Sequence, residues 1–291
     1  MLLRIRRSFV SAFLAVLFLV SAGALMPPPA AQPAGTNAAR VALLGLDRIV
    51  GPDLVLFYSA GAEAEASFYA EEVAAAVRWY RETLGWTDPV TMAVLNRADY
   101  PRATPIPYPS PHAETATGFI IIADRVESHP GFDLWDLDAR ALNAAWMFHE
   151  LGHVIARSRG ILSANLWINE LVASVIMAGY IRAERPEFLG FQSGMPPRFA
   201  GAGRFQTLAQ FDELYFAMGQ FDYLWFHFHI GRIADYLASD PAGLAAVVEG
   251  LRREVPAEGG RGRESIAETV ERLERIRPGV AAAAAPVTGA N

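Results

Sequence analysis

The residues best suited to chemistry are His149, Glu150 and His153, which form the pattern H-E-x-x-H in a chain of 291 residues. On a helix, side chains at i and i+4 lie one turn apart on one face, so both imidazoles can reach a single ion at about 2.0–2.1 Å. Glu150 stands about 100° further round the helix. It can therefore reach a water on the open side of that ion, which is the position of a general base. Two histidines on a helix can also be incidental. Here Leu142, Ala145 and Trp146 precede them by one and two turns and put them on an apolar face, where imidazoles without partners would be costly.

A catalytic zinc ion usually takes three protein ligands and keeps one position open. The chain has no cysteine, which excludes thiolate ligands, disulfides and cysteine nucleophiles together. The histidines that follow His153 are His227 and His229, more than seventy residues on, too far for a compact three-histidine motif. Glu170 is the remaining choice. It is flanked by Trp167, Ile168, Leu171 and Val172, and a carboxylate buried by such neighbours needs a cation. The expected metal set is His149, His153 and Glu170.

These residues resemble the gluzincins, and more closely the zinc aminopeptidase-like group described as peptidase MA-like. The likeness lies in His149-Glu150-x-x-His153 followed by Trp167-Ile168-Asn169-Glu170-x-x-Ala173, with 16 residues between His153 and Glu170. It implies a zincin-like fold, Zn2+ as cofactor, and hydrolysis of peptide bonds with Glu150 as general base. It also implies that the strand before the active-site helix is an edge strand receiving an extended peptide, which would set Thr117 and Gly118 beside substrate. A Tyr or His near the start of a later helix would stabilise the oxyanion. Tyr223 is the first choice, Tyr215 the reserve, and His227 or His229 the thermolysin-like option. The chain departs from the pattern at Leu171, where the aminopeptidases have Gly, and at Ser174, where a thermolysin-like Asp would stand. The Gly-x-Met-Glu-Asn exopeptidase motif is absent. Those departures leave an alternative, a catalytically silent zinc-binding scaffold of zincin fold in the cell envelope.

The elements that must position these residues follow from periodicity. Short apolar runs over 41–58, broken by Gly45, Gly51 and Pro52, predict strands or a hairpin. Residues 63–84 have helical spacing closed by Gly85, and residues 90–95 and 117–122 are β-rich. Helices are expected over 139–157, opened by Asp136 or Asp138, over 164–183, and over 207–218 behind a Thr207/Gln210 capping box. Three more are expected, over 223–238 capped by Asp222, 244–253 and 264–275. The order predicts an α+β fold, with a mixed α/β half over 40–158 and an all-helical half over 159–277. The low-complexity tail, 278–291, is expected to be disordered.

Composition bounds the setting. With 52% hydrophobic residues the chain can fill a large core, and its net charge of -6 and lack of an Arg patch outside the N-terminus argue against a nucleic-acid partner. All its basic residues are Arg. Arg4, Arg6 and Arg7 precede an uncharged apolar run over 9–25, which reads as an export signal over 1–26, either cleaved or kept as a membrane anchor. Residues 27–39, rich in Pro and Ala, read as a flexible linker. The substrate would then be an extracytoplasmic peptide or protein. Beyond residue 26 no stretch reads as a membrane span.

Overall fold

A computed structural model describes residues 35–106, 110–114, 116–125, 139–189, 194, 207–215, 217–218, 220–255 and 264–288. Continuous apolar runs belong in a sheet that is buried on both faces. The runs at β3 and β5 lie in such a sheet, formed by β1 (Asp47–Val50), β2 (Leu54–Tyr58), β3 (Val90–Leu95), β4 (His112–Ala113) and β5 (Ile120–Ala123) in the order β1-β2-β3-β5-β4. β2, β3 and β5 are parallel, and β1 and β4 run antiparallel along the two edges. Met92, Val94, Ile120 and Ile122 face the main core, while Ala93, Leu95, Ile121 and Ala123 face a second, smaller one. Helix α1 (Asn37–Ala42) closes that second core through Val41.

On the main-core side lies α2 (Glu63–Leu84), whose buried Tyr69, Val73, Val77 and Tyr80 recur at helical spacing. Gly85 stops it in the left-handed conformation, φ 65°, that a C-cap favours. A short helix, α3 (Tyr100–Ala103), precedes β4. Two long helices carry the candidate ligands: α4 (Ala139–Ser158) holds His149 and His153, and α5 (Leu166–Glu184) holds Glu170. α5 is long and apolar enough to cross a membrane, against expectation, yet 78% of that window is buried inside the fold. It is apolar on all sides because α4, α6 (Leu208–Leu214), α7 (Gln220–Leu237) and α8 (Leu244–Glu254) surround it. α9 (Ile266–Ile276) and α10 (Val280–Thr288) complete a helical C-terminal half, as the α+β reading expects.

Several expectations need correction. β5 spans Ile120–Ala123, so Thr117 and Gly118 lie in a turn, and the strand before α4 is interior; the edge on that side of the sheet is β4. The carbonyl of Glu114 accepts from Thr117 N–H at 3.2 Å and Gly118 N–H at 2.7 Å, and Gly118 takes φ +73°, which a strand residue would not. α1 occupies the end of the expected linker, with the Thr36 hydroxyl accepting from Ala39 N–H as its N-cap. α6 ends at Leu214, short of 218, and α7 begins at Gln220, so Asp222 sits within its first turn and is no cap. The tail expected to be loose is helical over Val280–Thr288. Alanine is the best helix former, and Val280 and Ala284, one turn apart, are buried on the side where α10 meets α7. The expected signal over 1–26 and the caps Asp136 and Asp138 fall outside the described residues.

Candidate metal centre

The distance between α4 and α5 is set by Gly152. A Cβ at that position would stand 2.4 Å from the Ala173 carbonyl oxygen and 2.8 Å from its Cα. The two helices therefore touch backbone to backbone between His149 and His153 on one side and just past Glu170 on the other. That contact brings the three side chains together. His149 Nε2 is 3.0 Å from Glu170 Oε2, His153 Nε2 is 3.1 Å from His149 Nε2, and His153 Nε2 is 3.4 Å from Glu170 Oε2. Ligand atoms bound tetrahedrally at 2.0–2.1 Å are about 3.3 Å apart. The donor set fits that triangle, and this buried group could hold a metal ion.

The electrostatics of the group favour positive charge beside Glu170. Burial works to raise the Glu170 carboxyl, but His153, His149 and His227 overcome it and hold the group well below the usual carboxylate range. Burial works to lower the His153 imidazole, and Glu170 followed by Glu150 overcomes it and raises the group to about 9. A proton on His153 thus balances Glu170 when no ion does.

The outer partners of the ligands are hydroxyls. Ser174 Oγ lies 3.4 Å from His149 Nδ1, at the position where Asp was missed in the sequence. Tyr215 donates its hydroxyl to Glu170 Oε1 at 3.1 Å, and Tyr223 hydrogen-bonds Tyr215. The charge of Glu170 first, then burial, keeps the Tyr215 phenol far above its usual range, so it remains a donor. Asp212, one turn before Tyr215, accepts from Trp167 N–H at 3.0 Å and from Asn165 Nδ2 at 3.0 Å, capping the N-terminus of α5. Periodicity alone did not show that α6 holds the ligand helix in this way. The signal that could have shown it is Asp212-x-x-Tyr215 against Trp167-x-x-Glu170, both at the i, i+3 spacing of one helix face.

Glu150 is not part of the ligand set. It is buried, and its Oε2 accepts from Ala113 N–H of β4 at 2.6 Å. Burial is the main influence on its carboxyl, which is raised despite the opposing pull of His153 and His149. The β4–β5 hairpin lies along α4 at two further points, Gly118 beside Val154 and Arg157 donating to the Ala116 carbonyl, and it is tied to α1 by Glu114, which accepts from Asn37 N–H at 2.7 Å. Thr117 and Gly118 thus lie on the turn that rests against α4, and Thr117 donates its hydroxyl to Glu114.

β4 is itself pinned. The carbonyl of Ser110, 3.0 Å from His112 Nδ1, makes that nitrogen the donor, so Nε2 accepts from Thr104 Oγ1 at 2.9 Å. Burial lowers the His112 pKa and keeps this neutral arrangement.

The other sequence candidates are spread along α7. Tyr223 lies on the site side with its ring 4.3 Å from His227 and 6.0 Å from Tyr215. His227 is buried, its Nε2 is 3.5 Å from Glu170 Oε2, and among the described residues neither ring nitrogen has a hydrogen-bond partner. Burial lowers it to about 3, which leaves it neutral. His229, about 200° further round the helix, packs on Trp225 with ring centroids 4.3 Å apart. Comparison of the chain with protein-family models, characterised proteins and solved structures finds no match.

Proposed function

We propose that the chain is a zinc-dependent peptidase of zincin fold, in which His149, His153 and Glu170 hold Zn2+ and Glu150 is the general base. The observation that carries the reading is the pairing of that donor triangle with a buried carboxylate on the same helix that is not among the three and that accepts from the edge strand β4. Histidine and carboxylate ligands suit zinc, and three of them leave a fourth position open. Zinc bound there would polarise a carbonyl and activate water at neutral pH.

Glu150 would take a proton from that water at its carboxylate and return it to the leaving amine, work that suits a carboxyl raised by burial. The N–H of Ala113 points away from β5 towards Glu150, so its carbonyl lies on the same outer edge and can accept from an extended peptide. His227, neutral and with both nitrogens unpartnered among the described residues, is a ready donor to the developing oxyanion. The Tyr223 hydroxyl donates to the Tyr215 oxygen, so it serves the site by holding Tyr215. The N-terminal apolar run supports an extracytoplasmic substrate, with attachment to the membrane through residues 9–25 if the run is kept.

The test is metal content and casein hydrolysis for the unmutated protein and for Glu150→Gln. Zinc at one per chain in both, with hydrolysis lost in the variant, is the expected result. Cleavage that survives Glu150→Gln would sink the mechanism, and zinc without turnover of a broad peptide library would leave the silent scaffold.

A further inference from the structure

The two oxygens of Glu170 have different surroundings. Oε2 faces the imidazoles, 3.0 Å from His149 Nε2, 3.4 Å from His153 Nε2 and 3.5 Å from His227 Nε2. Oε1 turns the other way and accepts the Tyr215 hydroxyl at 3.1 Å. We infer that Tyr215 is a positioning residue that occupies Oε1, so that Glu170 meets the ion through Oε2 alone and the coordination sphere keeps an open place. The inference rests on the metal reading above and on none of its chemistry.

Two observations favour a built device over a chance contact. Asp212 and Tyr215 are one turn apart on α6 and grip α5 at Trp167 N–H and at Glu170, also one turn apart, so the segment that caps the ligand helix also holds its ligand. Tyr215 is itself held: its ring meets Phe211 edge to face at 5.2 Å, and the Tyr223 hydroxyl bonds to it. With the phenol removed, Oε1 is a buried acceptor without its donor. Such a group seeks a new partner, and the nearest cation is the ion itself. Glu170 then binds through both oxygens and fills the open place. The charge of the ligand set is unchanged, since the phenol is neutral; what changes is the geometry.

Tyr215→Phe keeps the ring and its aromatic contacts and deletes only the hydroxyl. Zinc affinity, read by competition with a chromophoric chelator, is expected to fall about 10- to 100-fold, the usual loss for an outer partner of a ligand. The visible absorption of the Co2+-loaded protein supplies a readout that a purely structural role would not move. The intense bands of a four-coordinate ion are expected for the unmutated chain, and weaker bands of higher coordination for the variant. Tyr223→Phe, which loosens Tyr215 without removing it, is expected to shift both readouts in the same direction by less, and stands in if Tyr215→Phe does not fold. Wild-type zinc affinity together with a wild-type Co2+ spectrum in a folded Tyr215→Phe overturns the inference and leaves the metal reading standing. Failure of the unmutated chain to bind either ion overturns both.

Discussion

Gly152→Ala is the sharpest test of how the site is assembled. The added methyl group would stand 2.4 Å from the Ala173 oxygen, 2.8 Å from its Cα and 2.9 Å from its carbonyl carbon. Ordinary contact begins about 1 Å further out, and no rotamer can relieve a clash with backbone, so the helices must part by about that much. A metal site tolerates displacements of only about 0.2 Å. The His149 and His153 side of the triangle would move off Glu170, and zinc affinity should fall at least about 10-fold. Alanine gains about 1 kcal/mol over glycine in helix propensity, while overpacking of this kind loses about 3 kcal/mol or more. The net loss is about 2 kcal/mol, which lowers Tm by about 4–8 °C for a fold of this size. Gly179→Ala on α5 is the control. Its methyl group would meet Leu244 Cδ2 at 2.5 Å, the free end of a side chain that can turn away. It should melt closer to the unmutated protein and bind zinc normally. The measurements are thermal melts of the metal-free protein and chelator competition. A Gly152→Ala protein with unchanged Tm and unchanged zinc affinity would refute the account of α4–α5 contact given above.

Zinc binding should depend on pH through His153. In the metal-free protein this imidazole keeps its proton up to about 9, and the ion takes only the neutral form. Affinity is therefore expected to fall about tenfold for each unit of pH lowered, or about 100-fold from pH 8 to pH 6; a flat profile in the chelator assay would count against His153 as a ligand. The same proton stabilises the metal-free fold. The folded value lies above the unfolded 6.5, so its contribution is complete below pH 6.5 and is lost as pH rises through about 9. Asp212→Ala removes the cap on α5 and leaves Trp167 N–H and Asn165 Nδ2 without that acceptor. A loss of about 1–2 kcal/mol is expected, visible as a Tm lower by a few degrees; an unchanged melt would show that the cap is not used.

The candidate metal-binding group was legible because its spacing is local. His149 and His153 declare a shared face within five residues, and Glu170 is a carboxylate with no other reason to lie among Trp167, Ile168, Leu171 and Val172. Helix limits were legible where a stop is local too, as at Gly85, and the two-faced sheet where apolar runs are unbroken, as at β3. What was not legible depends on contacts distant in sequence. β4 is only two residues long and follows a proline-rich stretch, so nothing in 101–113 reads as a strand. It exists because Ile120 and Ile121 are there to pair with it, and because Thr104 and Ser110 fix the His112 ring. A Thr-Gly-Phe run reads as strand by residue type, but Gly118 is needed for the turn that folds β4 back against α4.

The same holds for Tyr215. As a residue type it is one more aromatic in an aromatic region, and only the crossing of α6 over α5 sets its hydroxyl on Glu170. Gly152 joins the two kinds of information. In the sequence it is an unspecified position inside H-E-x-x-H, and in the fold it is the point at which a larger residue would separate the candidate ligands. In this chain the motif therefore needs more than its three named residues: between the two histidines a residue as small as glycine lets the second helix reach them.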